Sequence, residues 1–230
     1  MFFPTSSEPI FRVKQAELDI QDICGLLKLR WRMGKWTVLD THFTRIDQVF
    51  LVWSGISGAI FATAHFFPTL SWTIQAAVWA VLTCVGVMTM ANLAWFWVQV
   101  ERLRWVIYLW SGLMIAGTVL TVYGIFHGVP LILINLCGLW LGLCAIGYAV
   151  MGIGMRSRGF LLAALLHLAT IPAVRSLSTW QFLLTGGVMA GSLLLFACIQ
   201  WDMRDPIVKP DILSAEEREF NQQQQRFRQA

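Results

Sequence analysis

The sequence predicts an all-α fold: a polytopic transmembrane helical bundle of six spans, with N and C termini cytoplasmic. Two observations carry that reading. Six stretches are long and apolar enough to cross a bilayer. Threading the chain back and forth through them puts 29 of its 30 fully charged side chains on the face where the chain begins, Arg175 being the exception. Composition agrees, since 57% of residues are hydrophobic and 13% charged, against roughly 25% charged in a soluble domain.

The spans fall at residues 49–67, 73–99, 105–126, 130–154, 159–174 and 180–201. Their connectors are three to five residues long, which makes consecutive helices antiparallel neighbours in an up-and-down bundle. Backbone groups in lipid need internal partners, and the alternation of a barrel strand is absent from the spans. Three regions result: a cytoplasmic amphipathic arm (1–47), the six-helix membrane domain (48–201) and a cytoplasmic polar tail (202–230). The first apolar run follows a polar arm, so it reads as a retained signal anchor rather than a cleavable signal peptide. Orientation follows from basic residues: seven in the arm, two each in the second and fourth connectors and five in the tail, with none in the first and third connectors. Trp53, Trp95, Trp97, Trp105, Trp110 and Trp201 cluster near the inner boundary and Trp72 and Trp180 near the outer one, as expected of interfacial lipid anchors.

In the arm, Ala16, Ile20, Ile23, Cys24 and Leu27 recur at helical spacing, predicting an amphipathic helix along the inner surface. The segment 26–36 (LLKLRWRMGKW) mixes bases with Trp, Leu and Met, a composition suited to anionic inner-leaflet headgroups. Asp40 or Thr41 is expected to cap the first span, with Asp47 near its positive end. In the tail, prolines at 206 and 210 discourage helix, and Ser214 with Glu217 forms a capping box for a polar helix from about Ala215. The glutamine run 222–225 is expected to be solvated.

Charge placement limits the chemistry. All thirteen carboxylates are predicted on the inner face, which disfavours a carboxylate proton relay, an aspartyl intramembrane protease and a carboxylate cation site at depth. HExxH and P-loop patterns are absent. Five cysteines without CxxC spacing predict neither disulfides nor a metal site, and the four within spans read as buried thiols. A net charge of +4, distributed as topology requires, gives no nucleic-acid surface.

The candidate ligand-binding residues are the outer-side polar set His65, Gln75, His127, Asn135 and Arg175, contributed by five spans. Were they to converge they would form a vestibule for a polar or anionic ligand. His167, midway along the shortest span, is a buried polar candidate expected to hydrogen-bond across the bundle. No cofactor is predicted; the one geometry the sequence allows is haem between His65 and His127, at matched depth on parallel helices. Gly55, Ile56, Ser57 and Gly58 spell GxSG, and with six spans and cytoplasmic termini this resembles a rhomboid serine protease, which would imply a Ser57–His167 dyad. The rhomboid pattern places its serine in span four and its histidine in span six, where this chain has none. Small residues pair at i, i+4 spacing, as in Ser54 with Gly58, Gly138 with Gly142 and Gly187 with Gly191, predicting close helix approach and a face able to dock another membrane protein or a second copy.

The wording RIDQVFLVW (45–53) and WFWVQVERLRWV (95–106) resembles uncharacterised multi-pass membrane proteins of cyanobacterial and plastid type. That resemblance implies a bacterial inner membrane or thylakoid membrane and transfers no activity. The leading functional expectation is a non-enzymatic interaction, assembly or accessory factor. The alternatives are a small-molecule carrier or binder and a haem-binding or rhomboid-like enzyme.

Overall fold

The computed structural model describes residues 9–33, 36–204 and 212–229. Strand β1 (Phe11–Arg12) opens the arm, followed by a single helical turn α1 (Ile20–Ile23) and a hairpin of β2 (Leu27–Met33) and β3 (Trp36–Phe43). Six long apolar helices follow: α2 (Arg45–Phe66), α3 (Trp72–Val100), α4 (Arg104–Phe126), then α6 (Leu136–Met155), preceded by the short α5 (Pro130–Ile134), then α7 (Arg158–Ser176) and α8 (Gln181–Cys198). Strand β4 (Gln200–Trp201) and helix α9 (Ala215–Gln229) end the chain. The six long helices have the length and composition of membrane spans.

Consecutive spans pack side by side, and α8 returns to pack on α2, so the six form a closed ring in chain order. Between α4 and α6, close approach is set by glycine against tryptophan. A Cβ on Gly147 would lie 2.8 Å from the ring of Trp110, and one on Gly154 would lie 2.5 Å from that of Trp105. The core where the ring meets the terminal face is aromatic, with Phe160 within 4.6–4.7 Å of Phe196 and Trp201.

Several boundaries differ from the sequence expectation, each for a local reason. Asp40 and Thr41 lie in β3, so neither caps α2. Thr44 does: its hydroxyl accepts from Asp47 N, while Asp47 Oδ2 accepts from Thr44 N at 2.7 Å, a capping box closed a second time by Lys14 Nζ at 2.7 Å. The amphipathic arm helix shrinks to one turn. It ends at Gly25, whose φ of +78° suits glycine. Segment 26–36 is largely hairpin, because Leu27-Lys28-Leu29-Arg30-Trp31-Arg32 alternates with period two. Residues 34 and 35, like the prolines of the tail, lie outside the described residues. The fourth span is broken at Asn135 (φ −102°, ψ 15°), whose Nδ2 donates to Leu131 O at 2.9 Å and so competes with helical continuation. The sixth span stops at Cys198, and Gln200–Trp201 pairs antiparallel with Phe11–Arg12 instead of extending the helix. Cys137 and Cys144 are buried, but Cys84 and Cys198 are exposed on the flanks of their helices.

The arm and tail are not loose. Asp202 is buried, and its carboxylate accepts from Ser157 Oγ (3.0 Å), Arg158 N (3.1 Å), Arg158 Nε (2.7 Å) and Gly159 N (3.0 Å), capping α7 at its positive end. Burial pushes the Asp202 carboxyl up, but the hydrogen bonds from Arg158, Gly159 and Ser157 together hold it below the usual carboxylate range. Arg204 N donates to Met155 O and Asp202 N to Ile10 O, which fixes the chain beyond β4 against both arm and bundle. The tail helix α9 carries the expected Ser214–Glu217 capping box. Its Asn221 is buried, accepting from Ile20 N at 2.8 Å and donating to Gln21 Oε1 at 3.0 Å, and Arg228 pairs with Asp19. Gln222 and Gln223 are exposed as expected, whereas Gln225 reaches Asp19.

Removing the clamp has a defined cost. Asp202→Ala is expected to lower the unfolding free energy in lipid nanodiscs by about 3 kcal/mol, since it leaves Arg158 and a helix end without their buried partner. A depressed carboxyl stabilises the fold at any pH above the ordinary carboxylate range and ceases to do so as pH falls through its folded value. The difference in melting temperature between wild type and Asp202→Ala therefore persists from pH 8 to pH 5 and narrows below pH 4.

Candidate functional site

The five outer-side residues are placed individually rather than gathered. His65 stacks on Trp180 (5.5 Å, 23°) and His127 packs on Tyr123 (4.6 Å). Gln75 is 1% exposed, and its Nε2 donates to Phe67 O (3.2 Å) and Leu70 O (2.9 Å), closing the connector between α2 and α3. Asn135 and Arg175 do meet, through a 3.3 Å hydrogen bond on an exposed surface. The three cavities described next are lined by none of these five.

The ring has a lumen. A cavity of about 90 Å³ is walled by every span: Ser57 and Trp53 from α2, Met90 and Trp97 from α3, Trp110 and Met114 from α4, Cys144, Tyr148, Met151 and Met155 from α6, His167 from α7 and Met189 from α8. Five of the chain's nine methionines border this one space, and Met151 Sδ accepts from Trp110 Nε1 at 2.7 Å. Trp53, Trp97, Trp110 and Trp201 therefore wall an interior space, a role their reading as lipid anchors did not include. A smaller cavity of about 40 Å³ continues outward, with Trp53, Ser57, Met114 and Met189 as shared partition.

His167 sits in this wall at 0% exposure. Its Nδ1 lies 2.8 Å from Ala163 O on its own helix, and its Nε2 has no hydrogen-bond partner. The expected bond across the bundle is thus replaced by one to the preceding turn. Ser57 lines the same lumen, but no hydrogen bond joins the two residues.

On the terminal face the arm, α9 and the ends of α2 and α3 enclose a polar cleft of about 650 Å³, within the size range of small-molecule sites. Its walls carry Glu17, Asp19, Asp22, Asp47 and Glu101 against Arg12, Arg204 and Arg228. Most of these charges are matched. Arg228 pairs with Asp19, Lys14 with Asp47, and Gln21 Nε2 donates to Glu101 Oε1 at 3.0 Å. Asp22 is held by a neutral N–H, Trp97 Nε1 at 3.1 Å. Burial, then the charges of Asp19 and Glu101, push its carboxyl up to about 7 despite that bond and the nearby Arg228. A carboxyl shifted this far in a cleft marks a candidate site. Ile46, Trp97 and Trp201 border both cleft and lumen, so these side chains are the partition between them.

Sequence reasoning passed over Asp22 because its role arises from contact with Trp97 and Glu101, about 80 residues away in the chain. The lumen had a visible signal: Cys144, Tyr148, Met151 and Met155 recur at spacings of four, three and four, one face of a helix. No protein-family model matches the chain, and no similar curated protein or solved structure is found.

The raised carboxyl at Asp22 opposes folding once it ionises. The protonated form is favoured by the fold, so wild type loses stability as pH rises from the ordinary carboxylate range to about 7. Asp22→Asn is expected to melt above wild type at pH 8, with the gap closing toward pH 4; a constant gap across that range contradicts the assignment.

Proposed function

We propose that the protein is a non-enzymatic membrane protein that binds an amphipathic organic cation, its charge in the terminal-face cleft and its apolar part against the tryptophans below. The supporting observation is the position of Asp22, a carboxyl with no basic side chain bound to it among the described residues, directly above the Trp97–Trp201 partition. An incoming cation supplies an ion-pair partner at Asp22, since the nearby Arg228 is paired with Asp19. Trp97, Trp201 and Phe227 offer aromatic surface on which a delocalised cation gains further attraction. The segments resembling cyanobacterial and plastid proteins support a bacterial inner or thylakoid membrane as its location, and the excess of bases on the terminal face supports a cytoplasmic or stromal orientation for the cleft.

A second observation favours action through a membrane partner. Gly187 and Gly191 lie one turn apart on α8, are exposed, and have open space where a Cβ would stand. This is the small-xxx-small surface on which helices associate in lipid. An accessory role through this face is compatible with ligand binding at the cleft.

Tetraphenylphosphonium and tetraphenylborate share a shape and differ in charge, so the pair isolates electrostatic selection. In zwitterionic nanodiscs, with empty discs as reference, the phosphonium is expected to bind saturably and the borate not to. Phosphonium affinity rises as pH passes from 6 to 8 and Asp22 ionises, and Asp22→Asn weakens it at least tenfold, about 1.4 kcal/mol. Equal binding of the two ions, or none of the cation, overturns the proposal. For the second reading, Gly191→Leu is expected to abolish a chemically cross-linked oligomer formed in native membranes; a chain that cross-links to nothing there removes that reading.

A further inference from the structure

His167 is buried midway along α7 with its hydrogen bonding half complete. A carbonyl oxygen only accepts, so the 2.8 Å contact with Ala163 O requires that Nδ1 carry the ring proton. In the neutral ring Nε2 is then a lone-pair acceptor. It is fully buried, has no partner, and belongs to a residue of the lumen wall. Leaving such an atom unsatisfied is costly, so the fold retains a penalty that a suitable donor removes.

The surroundings restrict that donor. The lumen wall carries no Asp, Glu, Lys or Arg, so a charged guest would enter without a countercharge at a prohibitive desolvation cost. Apart from His167, the polar side chains of the wall are the Ser57 and Tyr148 hydroxyls, the Cys144 thiol and the indole N–H groups of its tryptophans. The remainder is aliphatic, aromatic and thioether surface, which favours carbon over water. Size limits it further: an apolar cavity of about 150 Å³ accepts benzene, and this one is about 90 Å³. It admits one ring or a short chain as the methionine side chains yield.

We propose that the lumen around His167 is a binding site for a small neutral molecule of the phenol or alcohol class, its hydroxyl donating to Nε2 and its apolar body lying among Met90, Met114, Met151 and Met189. The same end group is carried by longer membrane-soluble phenols and alcohols, of which the lumen would hold the hydroxyl end. This site is separate from the cation cleft and does not rest on it.

The probes are phenol, anisole and benzene, the latter two lacking the donor, titrated into the full-length protein with ¹⁵N-labelled histidine in zwitterionic nanodiscs. Saturable phenol binding at least tenfold tighter than that of anisole is expected, accompanied by movement of the His167 Nε2 resonance. His167→Phe, which fills similar volume, removes the preference, while His167→Gln, which restores an acceptor, regains part of it. Melting temperatures of both variants show whether they fold. Asp22→Asn leaves phenol affinity unchanged, so a failure of the cleft is told apart from a failure of the lumen. Equal binding of phenol and anisole, or a His167 resonance that saturating phenol does not move, overturns the proposal and assigns Nε2 to a structural water.

Discussion

The terminal face is organised by one buried carboxylate. Asp202 accepts four hydrogen bonds from the first turn of α7, and the residues on either side of it pair with the arm and with the end of α6. It ties the chain leaving α8 to the start of α7, beside the β1–β4 pairing, while Lys14–Asp47, Gln21–Glu101 and Asp22–Trp97 hold the arm to the ends of α2 and α3. With it, α1 is brought under α9, and Asp19, Gln21 and Asn221 close the remaining contacts. The charged side chains of arm and tail thereby build a cap.

The ring below is shaped by the opposite constraint. Its helices approach where glycine meets a large side chain, an indole between α4 and α6, Phe61 between α2 and α8 and Leu161 between α6 and α7, and indoles are too bulky and too rigid to fill the centre completely. The space left is bordered by methionine, the side chain best able to occupy irregular volume. The lumen is therefore apolar by default, and its one titratable imidazole is the exception. Cleft and lumen differ in this respect: charged side chains line the first and none lines the second among the described residues, and Ile46, Trp97 and Trp201 stand between them.

How much of this the amino-acid order discloses depends on how local the cause is. The six spans, the place of Asp47 in the first turn of α2 and the Ser214–Glu217 box are written in neighbouring residues and were legible, although the cap itself is Thr44 rather than Asp40 or Thr41. The hairpin was written there too, in the alternation from Leu27 to Arg32, but its bases and Trp suggested a membrane-lying surface and hid the period of two. The break at Asn135 turns on whether one side chain bonds its own backbone or the bundle. Whether the outer polar set converges is hidden for a related reason. A helix rotation of a few tens of degrees decides whether His65 meets Trp180 or a cavity, and no pattern of spacing encodes that rotation. The pairing of Phe11–Arg12 with Gln200–Trp201 spans nearly the whole chain, and the site it creates around Asp22 had no local signature.

The central claim is that arm and tail form a folded cap over the ring, since the cleft has no walls otherwise. Hydrogen exchange of the full-length protein in nanodiscs addresses it directly. Amides of residues 11–24 and 215–229 are predicted to exchange slowly and to lose protection together in Asp202→Ala. Fast exchange of both segments in the wild-type protein would contradict the account.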